Sequence, residues 1–363
     1  MGTAISLIED VEVTRLDDGR LAVSWKVAGE CDQVDLAWGR SADGLDHVHV
    51  ETVPAAAGHA EVDPGPAGAR GRVFVSVAPA GHPATGATNN HATDAGATNA
   101  ATKAGAGPGA TVAGERRIGM NGPVNFRDLG GYRGAGGATV RWGRVFRSDA
   151  LLLDDRDMED FAGLGIRTVY DLRSDMERSA VPNRLPEGDA PAVVVLPLIS
   201  EDSSTNPLAD IDSADGEDFL AHLYLHILER SAVNFGRVLT GLSREEELPA
   251  VFHCAAGKDR TGMVAAVLLS VLGVPLEDIL DDYELTGRYR TTEHVQASMQ
   301  RLGEAQQLAP EIVAGMLRAP RWAMQSALSQ VAQRYGDFDG YLTGPAQVAA
   351  EVPDRLRDLL LRA

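Results

Sequence analysis

The sequence predicts an α/β layer domain with a mostly parallel sheet, preceded by a small all-β module. Three observations predict it. Apolar residues alternate with period two across the first 80 residues. A low-complexity stretch of Gly, Ala, Thr, Asn and Pro follows at 81–113. From 114 to 363, short apolar runs interleave with amphipathic helical runs, and that alternation builds a central sheet flanked by helices.

The first module is read strand by strand. In LAVSWKV, Leu21, Val23, Trp25 and Val27 alternate with Ala22, Ser24 and Lys26. VDLAW repeats the pattern with Val34, Leu36 and Trp38, and RVFVSVAP with Val73, Val75 and Val77. Such alternation marks half-buried strands, and turn formers at 17–19, 41–44 and 63–68 separate them. The expectation is a small β-sandwich over 1–80, and Trp25 with the strand spacing resembles a fibronectin type III module. Residues 81–113 hold too little apolar surface to offset their ordering entropy. They read as a flexible linker that, as a Gly-rich coil, spans roughly 30 Å on average.

In the second region the strand candidates are RVFRS (144–148), RTVYDLRS (167–174), AVVVLPL (192–198) and PAVFHC (249–254). The helix candidates are LDDRDMEDFAGLG, the long EDFLAHLYLHILERSAVNFGRVLTGLS, GMVAAVLLSVLG, PLEDILDDYELTGRYR and VPDRLRDLLLR. In an open parallel sheet the site lies beyond the carboxyl ends of the strands. Cys254 ends one of these strands.

Composition narrows the function classes. The 363 residues carry a net charge of −19, so no global basic field holds nucleic acid. The two cysteines, Cys31 and Cys254, make no disulfide framework, which fits a reducing, cytoplasmic setting. The N-terminus lacks a basic region followed by a long apolar stretch, and no window is long enough for a membrane helix. No His/Cys/Asp cluster has zinc-ligand spacing, so no metal or other cofactor is expected. GAGPGA and RGAGGAT lack the Lys-Ser/Thr ending of a nucleotide-binding loop and read as turns. Nothing in the pattern fixes an oligomeric state.

The chemistry concentrates in VFHCAAGKDRTG (251–262). The strand delivers Cys254, and an apolar helix opens after Gly262. Amides from Ala255 and Ala256 through Gly257 and Lys258 to Arg260 can converge on one centre, joined by the positive end of the helix. Gly257 allows the tight turn. A cation and a helix start both favour a thiolate at Cys254. Arg260 supplies a planar fork for two phosphoryl oxygens, which Lys cannot copy. The Thr261 hydroxyl can stabilise the sulfur. His253 is expected to fix the loop by hydrogen bonding. Cys31, in AGECDQ, has no such company and reads as ordinary.

HCAAGKDRTG resembles the phosphate-binding loop of cysteine-dependent tyrosine and dual-specificity phosphatases, whose pattern is HC-x5-R-[ST]. With Lys258 and Asp259 inside the loop, it is most similar to a bacterial branch of that family. NFRDLGGY (125–132), GRVFRSDAL (143–151), VYDLRSDMERSAVPN (169–183), DYELTGRY (282–289) and YGDFDGYL (335–342) match segments of the branch in the same order. The resemblance covers about residues 115–363 and implies a phosphatase fold.

It also implies Cys254 as nucleophile, with a cysteinyl-phosphate intermediate hydrolysed by water, and no metal. The leaving oxygen needs a proton. No Trp-Pro-Asp string is present, and the resemblance implies Asp259 as the acid, with Asp171 as second candidate. Lys258 is expected near substrate and solvated, either binding a further phosphate or deepening the positive potential. The stretch 291–320 is a helical lid or a packed core element. The expected partner is a phosphorylated substrate: a phosphoprotein, a phosphoinositide or a small soluble ester. A phospho-binding protein without turnover is the contrasting reading, and a third makes the β-module the main interaction part. Relatives in this branch can be exported without a recognisable signal.

Overall fold

The structure is a computed structural model that describes residues 7–44, 46–47, 49–65, 71–80, 110–188, 190–199, 219–291, 294 and 319–362. The chain divides into two compact units, Met1–Ile118 and Gly119–Ala363.

The named strands of the first unit all pair antiparallel, with one isolated parallel bridge between Val13 and Glu115. These strands are β1 (Leu7–Arg15), β2 (Leu21–Ala28), β3 (Gln33–Gly39), β4 (His49–Pro54), β5 (His59–Val62), β6 (Phe74–Pro79) and β7 (Thr111–Gly114). They form one sheet ordered β1-β2-β5 and another ordered β4-β3-β6-β7. The alternation read from sequence sets the buried faces: Leu21, Val23 and Trp25 on β2, and Val34, Leu36 and Trp38 on β3. A buried indole N–H usually finds a partner, and Trp25 Nε1 donates to Ala55 O at 3.2 Å. One boundary needs correction. Thr111–Ala113 look like linker by composition, yet they pair with Val75–Val77 of β6. Backbone hydrogen bonds to an existing sheet edge order residues that side-chain burial alone would not. The rest of the expected linker, 81–109, lies outside the described residues.

The second unit carries a five-stranded sheet ordered β12-β11-β13-β10-β8. Its strands are β8 (Arg127–Asp128), β10 (Val145–Ser148), β11 (Thr168–Asp171), β12 (Ala192–Val195) and β13 (Ala250–His253). The four strands from β12 to β10 run parallel, and β8 lies antiparallel on the edge. A second ribbon pairs β9 (Thr139–Val140) with β14 (Leu361–Arg362). His253 is in register with both Ser148 and Asp171. The carboxyl ends of the three inner strands therefore finish together, and the segment after His253 emerges there.

The helices are α1 (Asp155–Gly163), α2 (Asp175–Ala180), α3 (Phe219–Arg230), α4 (Ala232–Leu242), α5 (Asp259–Val271), α6 (Leu276–Tyr289), α7 (Arg321–Tyr335), α8 (Phe338–Thr343) and α9 (Val352–Leu360). Helix α5 is apolar all round and buried from Thr261 to Leu269, as a helix at the centre of a core must be. None of the described helices is long and apolar enough to cross a membrane.

Three elements differ from expectation. The long helix over 217–243 is two helices, broken at Ser231, which leaves helical geometry. Its hydroxyl donates to Leu198 O at 2.7 Å, while Asn234 Nδ2 donates to Pro197 O at 2.7 Å. Strand β12 stops at Val195, two residues before a proline that could not donate to a ladder. As an edge strand it leaves Val193 47% exposed. Helix α5 begins at Asp259, earlier than the apolar run suggests, so Asp259, Arg260 and Thr261 form its first turn. The expected lid falls mostly on 295–318, outside the described residues.

Candidate active site

The loop from Cys254 to Lys258 joins β13 to α5, and its carbonyls are held from within the domain. Ala150 N donates to Ala255 O at 3.3 Å. Asn125 Nδ2 lies 3.3 Å from Ala256 O and 2.9 Å from Gly257 O. Arg147 Nη2 donates to Gly257 O at 2.8 Å and approaches Lys258 O at 3.4 Å. His253 Nδ1 lies 3.4 Å from Cys254 O. On the donor side, the amides of Ala255, Ala256, Gly257, Asp259 and Arg260 meet no protein acceptor among the described residues. A peptide whose carbonyl points one way presents its N–H the other way. The result is a ring of unpaired donors at a helix start, a seat for an anion.

Gly257 makes this possible. Its φ is +64°, and a Cβ there would stand 2.6 Å from both Asp149 N and Ser148 O. Only glycine fits a left-handed residue pressed against the end of β10.

Beneath the loop sits a buried charge cluster. Arg127 Nε pairs with Asp282 Oδ1 at 3.0 Å and Arg147 Nη1 with Asp282 Oδ2 at 2.5 Å. Burial, then the neighbouring Arg127, pushes the Arg147 guanidinium down to about 10, while Asp282 opposes them; it stays charged at neutral pH. Two guanidinium groups against one carboxylate leave positive charge under the ring, within a chain of net charge −19. The local field is thus opposite in sign to the global one.

Cys254 is free and 2% exposed, as a thiol on the floor of such a ring would be. Arg260 is held end on by Glu177 of α2, Nη1 to Oε2 at 2.6 Å and Nη2 to Oε1 at 2.6 Å. Burial lowers the Arg260 guanidinium, but the field of Cys254 and the Glu177 carboxylate outweighs it and raises the group. Thr261 Oγ1 is buried and makes no hydrogen bond among the described residues.

Asp259 is 35% exposed at its side chain. Its Oδ1 accepts from Tyr224 Oη on α3 and lies 3.4 Å from Lys258 Nζ. Lys258 corrects an expectation: only 1% of its side chain is exposed, so it is not a solvated cation. Asp171, the second acid candidate, and His253 are as buried as Lys258. Asp171 is buried and takes a two-point contact from Arg173, with distances of 2.9 and 2.7 Å. Asn183 Nδ2 donates to Asp171 Oδ2 at 3.1 Å and to His253 Nε2 at 3.3 Å. That contact makes Nε2 an acceptor and assigns the imidazole proton to Nδ1. Burial pushes His253 down to about 4, so it is neutral. For Asp171, burial acts upward, but Arg173 outweighs it and holds the carboxyl below its usual range.

Sequence reasoning missed Glu177, Tyr224, Tyr283, Asn125 and Asp282. Four of them lie inside or beside quoted motifs, but nothing local marks them, because each reaches the loop from another element. A cavity of about 500 Å³ lined by Tyr170, Val194, Arg237 and Arg244 includes none of the loop residues.

A profile of the tyrosine phosphatase family matches residues 118–362. The chain belongs to that family. This phosphatase is 30% identical over 227 residues to a protein of Cupriavidus necator named as a tyrosine-protein phosphatase, across 62% of this chain and 82% of that one. It is 29% identical over 282 residues to the triple specificity protein phosphatase PtpB of Mycobacterium tuberculosis, across 67% of this chain and 98% of that one. Among solved structures, TpbA of P. aeruginosa aligns over 52% of this chain and 90% of its own, with 20% identity and a TM-score of 0.26. At that score the topology above, and not the superposition, describes the fold. The phosphatase is a phosphoric monoester hydrolase, and its family acts on phosphorylated substrates.

Proposed function

We propose that the chain hydrolyses phosphomonoesters through a phosphate carried on Cys254 Sγ. The observation that carries this reading is the one-sided loop, with its carbonyls tied inward and its amides without protein acceptors. Arg260 Nε has no hydrogen bond among the described residues, so the edge beside it is available to two phosphoryl oxygens.

In the first step the Sγ thiolate attacks phosphorus. The S–P bond forms as the P–O bond to the leaving group breaks, and Asp259 gives its proton to the departing oxygen. In the second step water attacks phosphorus, Asp259 takes the water's proton, and the S–P electron pair returns to sulfur. The ring amides and Arg260 offset the charge on the equatorial oxygens in both steps. The Thr261 hydroxyl is a donor for the sulfur as it departs. Asp259 suits the acid role better than Asp171, because Arg173 and Asn183 occupy both Asp171 oxygens and keep that group ionised.

The substrate class is phosphoprotein, at tyrosine and at serine or threonine, with phosphoinositides as a further class. The triple specificity in the name of the mycobacterial relative supports that breadth. The first unit is an accessory module of fibronectin type III kind, supported by its three-plus-four arrangement of antiparallel strands. The two free cysteines support a cytoplasmic setting.

The test is phosphate release from phosphotyrosine and phosphoserine peptides, phosphoinositides and nucleotides, with Cys254→Ser as blank. Turnover retained by Cys254→Ser would remove the nucleophile. Release from nucleotides alone would move the substrate to small soluble esters. Binding without release from any of them would leave a phosphate reader.

A further inference from the structure

We infer that Tyr224, backed by Tyr283, positions Asp259 so that its carboxyl delivers the proton from Oδ2; this rests on reading Asp259 as the general acid.

The argument is one of donor accounting. A phenol has one hydrogen to give. Tyr224 Oη donates to Asp259 Oδ1, and Tyr283 Oη lies 2.6 Å from Tyr224 Oη. With the Tyr224 hydrogen spent on the carboxyl, the contact between the phenols takes its hydrogen from Tyr283. The chain therefore has one direction, from Tyr283 to Tyr224 to Asp259. Both phenols stay protonated, since burial, then the nearby Asp259 charge, raises each well above its usual value.

Oδ1 thus receives the Tyr224 hydroxyl and lies 3.4 Å from the Lys258 ammonium. An oxygen facing two donors is the carbonyl oxygen of the neutral acid, which puts the acidic proton on Oδ2. No hydrogen bond to Oδ2 is present among the described residues. The carboxyl is oriented before the leaving group arrives. As Oδ2 gives up its proton, charge spreads to Oδ1 and strengthens the Tyr224 contact.

Three elements fix the arrangement. Tyr224 stands on α3, Tyr283 on α6 and Asp259 at the start of α5. The tyrosine rings meet edge to face with centroids 6.3 Å apart. A Cβ at residue 262 would stand 2.9 Å from the Tyr283 ring, which explains the glycine after Thr261. Both tyrosines act through Asp259 and are positioning residues.

The experiment uses the full chain with Tyr224→Phe and Tyr283→Phe, which each remove one hydroxyl, and Asp259→Asn, which replaces the acid with an amide, all at nearly constant shape. Turnover of p-nitrophenyl phosphate, whose leaving group needs little protonation, is compared with phenyl phosphate, whose leaving group needs more. Acid catalysis is commonly worth 10²–10⁴-fold, and Tyr224→Phe is expected to lose about tenfold of it. It should lower kcat on phenyl phosphate about tenfold more than on p-nitrophenyl phosphate, with KM within about twofold. The alkaline limb of its pH–rate profile should move to higher pH, because ionised Asp259 loses a donor. Tyr283→Phe should give a smaller shift in the same sense. Equal losses on both esters with an unmoved limb, in both tyrosine variants, would overturn the inference. Asp259→Asn keeps the two failures apart. If it is selective for the poorer leaving group while the tyrosine variants are not, only the positioning role fails. If it shows no selectivity, the acid assignment fails and the inference with it.

Discussion

Glu177 joins two structures through one carboxylate. Its Oε2 accepts Ser174 N at 2.9 Å, closing the first turn of α2, and the same group holds both ends of the Arg260 fork at 2.6 Å. Helix α2 is six residues long, and its cap doubles as the brace for a guanidinium that faces the site. Burial acts to raise the Glu177 carboxyl, but Arg260 outweighs it and lowers the group, so it stays ionised at neutral pH.

Glu177→Gln keeps the shape and removes the charge. A charge-assisted contact is worth about 1.5–3 kcal/mol, which corresponds to roughly ten- to a hundredfold in kcat/KM if it is lost in the transition state. Steady-state turnover of p-nitrophenyl phosphate checks this, and a kcat/KM equal to that of the parent enzyme would remove the bracing role.

Gly257→Ala tests the shape of the ring. The left-handed backbone costs a side chain about 1–2 kcal/mol, and the Cβ would meet backbone atoms of Ser148 and Asp149 that cannot swing aside. Phosphate affinity by calorimetry should fall by at least tenfold, together with turnover. Retained affinity would mean that the loop tolerates displacement.

Arg147→Gln removes a fully buried group that bridges Asp282 and Gly257 O. Breaking a buried pair costs about 3–5 kcal/mol, so chemical denaturation should show a loss of that order. Arg147→Lys should not restore the parent stability, because an ammonium cannot span both acceptors with the same geometry. Full recovery by lysine would show that charge alone is needed.

His253 predicts a pH dependence of stability. Its imidazole lies at about 4 in the folded chain and returns to about 6.5 when unfolded. Between those values the unfolded chain binds more protons, so the unfolding free energy falls as pH drops from about 6.5 toward 4, by about 3 kcal/mol in total. Asp171 and Glu177, held below their usual range, withdraw stability in the same direction below about pH 4. Urea melts between pH 7.5 and 4.5 should show the His253 component, and His253→Asn should flatten it. Parallel curves for the two proteins would mean that another group titrates.

What was legible in the sequence was what the chain writes locally. Cys254 opens one short loop and Arg260 stands in the helix turn that closes it, so spacing alone brings them to the same strand end. The strands β2 and β3 show their buried faces in a period of two, whereas β6 is buried at every position from Phe74 to Val77. Asn125, Glu177 and Tyr224 reach the loop across 132, 83 and 35 residues of chain, and no periodicity records such a distance. Lys258 read as solvated because lysines usually are; in the fold its side chain is buried, with Asp259 Oδ1 3.4 Å from its ammonium. Thr111–Ala113 read as linker because composition registers side chains, whereas a backbone ladder ordered them.

The pins that shape the anion seat are Asn125 just before β8, Arg147 on β10 and Ala150 just after it, while the thiol follows β13. A polypeptide on which these strands have not yet come together lacks the inward ties, and its peptide groups are free to turn to water. The anion seat is therefore a property of the assembled sheet, absent from any fragment that holds the cysteine without the earlier strands.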